Sequence, residues 1–476
     1  MTELPNGWAA ARVIDLIAEE GIFVDGDWVE TKDQDPDGEV RLTQLADVGD
    51  GRWRNRSERF MTADAARRLG CTQLRTDDIL VARMPDPLGR ACKFPGDPRP
   101  CVTVVDVAVI RPGPTSVRAD WLMWAINSPR VRSSIDEQKA GTTRKRISRK
   151  NLGEVELPVP PLLEQERIVT AIEEAFSKLD AGEAGLRTVR QLLKRMREAV
   201  LAAAVTGRLV PQDPIDTPAT KLLADLGVEP LVDEGLATLP ESWAWASLGD
   251  VSAIGGGIQK QPKRAPKVNA LPFLRVANVG KGTLDLTEVH TIEVFEGEIN
   301  RYGLQRGDLL VVEGNGSPDQ IGRAATWHGE IEPCVHQNHL IRVRPSAALL
   351  PAYLELYWNS PDASRRVQAV ASSTSGLHTL STGKLKVLPV AIPPIEEQHR
   401  IVTEVERQRS FIEACERTVD VGLARASALR RSVLKAAFKG QLGPQDPSDE
   451  PASVLLDRIR AARASLSGRP PSQSKI

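Results

Sequence analysis

Two stretches of the chain carry apolar or small residues at alternating steps of four and three. In the first these are Ile168, Ile172, Ala175, Leu179, Gly182, Leu186, Val189, Leu193, Met196, Val200 and Ala203. In the second they are Ile401, Val405, Ile412, Cys415, Val419, Ala426, Leu429, Val433 and Ala436, with Gln408 and Gly422 as weak points. That spacing is a heptad seam. The stretches are copies of one another: residues 160–214 align without a gap on 393–447, and about 23 of the 55 positions are identical. Each opens on a proline pair followed by Glu-Gln and closes on Gly207 or Gly440. These start and stop signals predict one helix of about 43 residues per copy, roughly 65 Å long. A helix with so narrow a seam needs a partner. The other copy is the expected one, and two separate homodimeric coiled coils are the alternative. Small seam residues, Gly182 and Gly422 among them, are expected where backbones approach closely.

Outside the seams, short β-like runs alternate with turn clusters such as DQDPDGE and PGDPRP, which predicts α+β domains over 1–157 and 236–390. The two share landmarks in the same order. Leu4-Pro5…Trp8 answers Leu239-Pro240…Trp243, Arg41–Leu45 answers Arg275–Val279, and Asp78–Val81 answers Asp308–Val311. Gly89-Arg90-Ala91…Cys101…Arg111-Pro112 answers Gly322-Arg323-Ala324…Cys334…Arg344-Pro345. The chain is therefore a tandem duplication: domain (1–157), helix (158–214), linker (215–235), domain (236–390), helix (391–447) and a C-terminal segment (448–476) expected to be partly disordered. A linker this short places the start of the second helix near the end of the first. The pair is therefore expected to be an antiparallel coiled coil with pseudo-twofold symmetry. Between landmarks the domains diverge, as two readers of different targets would.

Composition narrows the setting. The net charge is -1, so any basic surface is local. Five cysteines without a CxxC pair suit a reducing compartment, and no apolar run approaches the length of a membrane span, so a cytoplasmic protein is expected.

Candidate chemistry is sparse. Cys334, His336 and His339 lack a fourth metal ligand at usable spacing, and Gly255-Gly256-Gly257 lacks the rest of a phosphate loop. No amino-methyltransferase or nuclease signature is present, which predicts a non-catalytic chain. Basic character recurs instead in loops. Residues 139–150 contain Arg144, Lys145 and Arg146; the loop after the glycine triplet contains Lys260, Lys263 and Arg264; and Arg52, Arg54, Arg56 and Arg59 crowd around Trp53. Together with Arg41, Gln44, Arg275 and Asn278 at landmark positions, these are the candidate contacts to phosphates and base edges. The seam candidates are Ile168, Ile172, Leu179, Leu186, Leu193, Val200, Ile401, Val405, Ile412, Val419, Leu429 and Val433.

These marks resemble the DNA-sequence specificity subunits of type I restriction-modification systems. The resemblance rests on the Pro-Pro-x-x-Glu-Gln-x-Arg-Ile helix entries (160–168, 393–401), the Gly-x-Leu exits at Gly207 and Gly440, the Leu-Pro…Trp domain starts and the run from Phe273 to Val279. The first domain departs in carrying TTRKRIS and Arg41-Leu-Thr-Gln. The resemblance implies two target recognition domains, each reading half of a bipartite site in double-stranded DNA. It also implies helices that set the spacing and dock two methyltransferase subunits. Restriction/translocase subunits would complete the assembly, with S-adenosylmethionine, ATP and Mg on the partners, no cofactor on this chain and no membrane. An orphan DNA-binding module and a non-DNA coiled-coil scaffold are the alternatives.

Overall fold

A computed structural model describes residues 4–85, 87–139, 145–314, 321–371 and 379–467. The chain divides into two compact units, Met1–Leu186 with Val421–Ile476, and Arg187–Asp420. Each unit thus holds one globular domain, the beginning of the long helix that follows it, and the end of the other long helix.

The domain core is organised by one wholly apolar strand. In the first domain this is Ile79–Ala82, paired antiparallel with Val107–Arg111 and Ala91–Lys93, and Ile22–Asp25 completes a four-stranded sheet. Alternation sends Ile79 and Val81 into a core under the helices Ala119–Asn127 and Pro129–Glu137. Leu80 and Ala82 enter a second core that contains Val48 and Phe94. A strand buried on both faces needs an unbroken apolar run, and this one has it. Across the second core lies a three-stranded sheet of Phe60–Met61, Val40–Thr43 and Cys101–Thr103, its last pairing parallel.

The second domain repeats this plan. Leu309–Val312 is the apolar strand, with Leu340–Pro345, Ala324–Thr326 and Ser252–Gly256 in its sheet. His290–Glu293, Ala270–Leu274 and Val335–His336 form the smaller sheet. One landmark pair now has a physical reason. Asp78 and Asp308 are buried, and each receives a two-pronged guanidinium, from Arg111 at 2.6 and 2.7 Å and from Arg344 at 2.6 and 2.7 Å.

The long helices are Leu162–Ala204 and Ile395–Ala437, each 43 residues. Within each unit they run antiparallel. In the first, Arg430 bonds Asp180 at 2.6 Å and Glu183 at 3.2 Å and lies over the Phe176 ring, while Gly422 faces Leu186. In the second, Arg190 pairs with Asp420 and Arg197 with Glu416. Ile168, Ile172, Leu193, Ile401, Val405, Ile412 and Val419 are buried; Leu179, Leu186, Val200 and Val433 are half-buried. Leu429, placed on the seam by strict heptad counting, is 43% exposed, and Leu434 and Ala437 are buried instead. A straight helix drifts by about 20° per heptad, so toward its end the buried stripe moves one residue on. Gly182 has no neighbour where a Cβ would stand and is not a point of close approach, whereas a Cβ on Gly422 would lie 2.9 Å from Leu186.

The two repeat motifs clasp each other within a unit. Trp8 and Trp243 donate their indole N–H groups to Glu164 and Glu397, each at 2.9 Å. Glu397 also accepts from Gln212 at 2.7 Å, and the Glu164 carboxylate bonds Gln445. Arg167 pairs with Asp449, and Arg400 with Asp216. The Glu-Gln-x-Arg entry of one copy is therefore the partner of the Pro-Gln-Asp-Pro exit of the other. Each exit then docks a helix on the neighbouring domain. Ala219–Asp225 bonds Ser242 O through Ala219 N, and Ala452–Ser467 bonds Gly7 O through Ala452 N. The segment after 448, expected to be partly disordered, thus contains a 16-residue helix that buries Leu455, Leu456 and Ile459; residues 468–476 lie outside the described ones.

Candidate nucleic-acid interface

The end of the central strand in each small sheet is shaped by its sequence into one three-residue 3-10 turn, Leu45–Asp47 or Val276–Asn278. An Asp or Asn at the third position of such a turn can reach back to the backbone N–H that opens it. Asp47 takes Gln44 N at 2.8 Å, and Asn278 takes Arg275 N at 2.9 Å. The other Asp47 oxygen accepts Arg56 N and Ser57 N at 2.6 and 2.8 Å, while the Asn278 amide donates to Asp285 O and Glu288 O at 2.8 and 2.9 Å. From behind, Arg90 donates to Val48 O and Leu45 O at 2.7 and 2.8 Å, and Arg323 to Val279 O and Val276 O at 2.6 and 2.9 Å. The Gly-Arg-Ala landmark therefore exists to hold this turn.

This geometry corrects the pairing of Arg41–Leu45 with Arg275–Val279. The residue equivalent to Arg275 is Gln44, and Asn278 answers Asp47. Asn278 is buried and its amide is fully engaged in the turn, so it positions the turn and offers no group to a ligand. Arg41 is likewise internal. It bonds Asp97 at 2.9 Å and Ser57 O at 3.0 Å, and its side chain is 11% exposed.

Each turn forms the floor of a cleft. The first, of about 380 Å³, is lined by Trp28, Gln34, Gln44, Arg59 and Asp106 among others. The second, of about 690 Å³, is lined by Lys260, Gln261, Arg264, Arg275 and His290. Parallel bridges at Asp27–Val104 and Ile258–Gln337 make the loop 27–37 equivalent to 258–268. Antiparallel bridges at Val48–Trp53 and Val279–Leu284 make 49–59 equivalent to 280–290.

Across these equivalences the charge changes sides. In the first domain the 27–37 rim carries Asp27, Glu30, Asp33, Asp35 and Asp37 with only Lys32, and the opposite rim carries Arg52, Arg54, Arg56 and Arg59 against Asp50 and Glu58. In the second the 258–268 rim carries Lys260, Lys263, Arg264 and Lys267, and the opposite rim carries Asp285 and Glu288 with one lysine, Lys281. Arg52, Arg54, Lys260 and Lys263 are exposed. Arg264 is not a free cation: Glu298 grips it at 2.7 and 2.8 Å, and that bond holds the Glu298 carboxyl down at about 2. Lys145 and Arg146 are exposed immediately before the Arg83–Ile147 anchor, whereas Arg144 lies outside the described residues. Arg59, one of the arginines crowded around Trp53 in the sequence, does line the first cleft, whereas sequence reasoning missed Trp28 and His290. Trp28, 68% exposed, was a visible signal as an aromatic in an acidic loop.

Cys334, His336 and His339 do not form a ligand set. His336 is buried with Nδ1 2.9 Å from Leu340 O, burial pushes its pKa down to about 4, and His339 meets Glu313 instead. Among the described residues no three His, Cys, Asp or Glu side chains are grouped so that they could hold a metal ion, and no helix is long and apolar enough to cross a membrane.

Two copies of one scaffold, with clefts at the same place and different side chains in them, define a recognition protein with two reading positions. Residues 240–415 match the type I restriction modification DNA specificity domain. The chain is 30% identical to the type I restriction enzyme EcoKI specificity subunit of Escherichia coli (strain K12), over 72% of this chain and 72% of that relative. It is 30% identical to the EcoBI specificity subunit of Escherichia coli, over 73% of each. Its fold is similar to a chain from a type I restriction-modification system, with TM-score 0.63 and 19% identity over 93% of this chain and 100% of that one. The specificity subunit from Thermoanaerobacter tengcongensis gives 0.51 and 19% over 92% and 98%. The chain belongs to the specificity subunits of type I restriction-modification systems, and its function is recognition of DNA sequence.

Proposed function

We propose that each domain seats one half of a bipartite duplex site against its cleft, with the basic rim on the phosphates and the turn toward the base edges. Arg52, Arg54, Lys260 and Lys263, with Lys145, Arg146 and Arg144, supply phosphate contacts; Gln44 and Arg275 face the bases. The observation that carries this is the pair of equivalent clefts, each with one cationic rim. A cation-lined groove beside a rigid polar floor matches the division of labour in DNA recognition, where phosphate contacts position and base contacts specify.

The chain itself performs no reaction in this reading. The paired helices set the spacing and dock two methyltransferase subunits, and restriction/translocase subunits complete the complex. S-adenosylmethionine, ATP and Mg belong to those partners, and the assembly works in the cytoplasm.

Exchanging residues 236–388 for the corresponding domain of another family member tests the reading. The methylated motif of the host genome is expected to change in one half and keep the other. A change in both halves refutes independent readers.

A further inference from the structure

Gln44 and Arg275 occupy the same seat. Each is the residue that opens the 3-10 turn, each has its backbone N–H fixed by the third turn residue, and each lines its cleft. The carbonyls of both turns are held from the other side by Arg90 or Arg323. A side chain on so fully braced a backbone is presented in one place, which is what discrimination between bases requires. Among the described residues the Arg275 guanidinium has one partner, Glu288 at 3.4 Å, and that carboxylate is 76% exposed. Such a weak, solvent-facing contact is readily exchanged for a ligand.

The two side chains differ in hydrogen-bonding character. A carboxamide offers one donor and one acceptor in a plane, complementary to N7 and the N6 amino group of adenine. A guanidinium offers two parallel donors, complementary to O6 and N7 of guanine. Resting on the DNA reading above, we propose that the residue opening this turn is the base-reading position of each domain, Gln44 reading an adenine in one half-site and Arg275 a guanine in the other.

The test uses the full chain in complex with its modification subunits, and duplexes carrying the motif read from host methylation. Guanines are replaced one at a time by 7-deazaguanine, which lacks the N7 acceptor, and adenines by 7-deazaadenine. The wild-type complex is expected to lose roughly 5- to 150-fold in affinity at the guanine under Arg275. The Arg275→Ala complex binds more weakly overall and is indifferent to that replacement, while keeping wild-type sensitivity in the other half. Gln44→Ala loses sensitivity at one adenine of the other half-site. If Arg275→Ala responds to every replacement as wild type does, or if no guanine in either half is sensitive, the assignment is overturned. Failure of the DNA reading itself looks different: the wild-type complex then shows no preference for its motif over unrelated duplex.

Discussion

Trp243 donates its indole N–H to Glu397, a carboxylate with no exposed surface, at 2.9 Å. Gln212, from the exit of the other helix copy, donates to the second oxygen at 2.7 Å. One buried side chain thereby ties together the start of a domain, the start of its helix and the tail of the repeat. The same set recurs around Glu164. Two motifs far apart in sequence are kept in both copies because they are two halves of one contact.

Removing that acceptor is expected to be severe. Glu397→Ala leaves the buried Trp243 indole N–H without its acceptor, about 1–3 kcal/mol, and denaturant unfolding of the second unit should shift accordingly. Glu397→Gln should cost less, with a pH dependence whose sign follows from burial, which raises the Glu397 pKa above 4.5. A carboxyl raised in the folded state stabilises it below the unfolded value, and that stability is lost as pH rises through the folded value. The gap between wild type and Glu397→Gln should therefore be wider at pH 5 than at pH 8. A gap that widens with rising pH would contradict it.

The C-terminal helix gives a second test. Ala452–Ser467 places Leu455, Leu456 and Ile459 in the core of the first domain, and each such burial contributes about 1.5–3 kcal/mol. A chain ending at residue 447 should lose amide-exchange protection around Ala9–Arg12 and Glu156–Val159 while keeping it in Ala244–Ser247 and Pro389–Ile392. Equal loss in both domains would show that the helix does not belong to the first alone.

Much of this architecture is legible in the sequence, and the failures have definite causes. Both long helices, their ends and the landmark Asp–Arg pairs follow from periodicity and repetition. The reading turn was misplaced by three residues because Arg41 and Arg275 match as letters. The physical equivalence is set by the turn-capping Asp47 and Asn278, visible as Gln-Leu-Ala-Asp-Val-Gly against Arg-Val-Ala-Asn-Val-Gly. Asn278 looked like a base reader because sequence does not reveal that its amide is engaged by the backbone. Leu429 failed because a strict seven-residue count ignores helical drift. The exchange of charge between rims needs the bridge register before the loops can be compared.

His336 makes the second domain acid-sensitive. Its ring is buried, with a pKa lowered from 6.5 to about 4, chiefly by burial and then by Arg342. A depressed histidine favours the neutral folded form, so its contribution is complete above about pH 6.5 and is lost as pH falls toward 4. The loss by pH 4 is on the order of 3 kcal/mol. His336→Asn should flatten the pH dependence of second-domain stability across that window, whatever its effect at pH 8. An unchanged slope would assign the acid sensitivity elsewhere.

The exchanged rims predict that equivalent loops are not functionally equivalent. Arg54 occupies the position of Asp285, and Asp33 that of Arg264, so the proposed phosphate contacts fall on opposite rims in the two domains. Each lysine or arginine that neutralises a phosphate adds about one counterion to the salt dependence of binding. Replacing Arg52, Arg54 and Arg56 by alanine should lower the slope of log affinity against log salt by about two to three, with little change of motif. Lys260, Lys263 and Lys267 should do the same from the other rim of the second domain. Neutralising the one lysine on the opposite rim, Lys32 in the first domain and Lys281 in the second, should leave the slope within about half a counterion of wild type. A fall of about one counterion at Lys32 or Lys281 would mean that DNA lies along the same rim in both domains, and that the charge pattern is only a solvated surface.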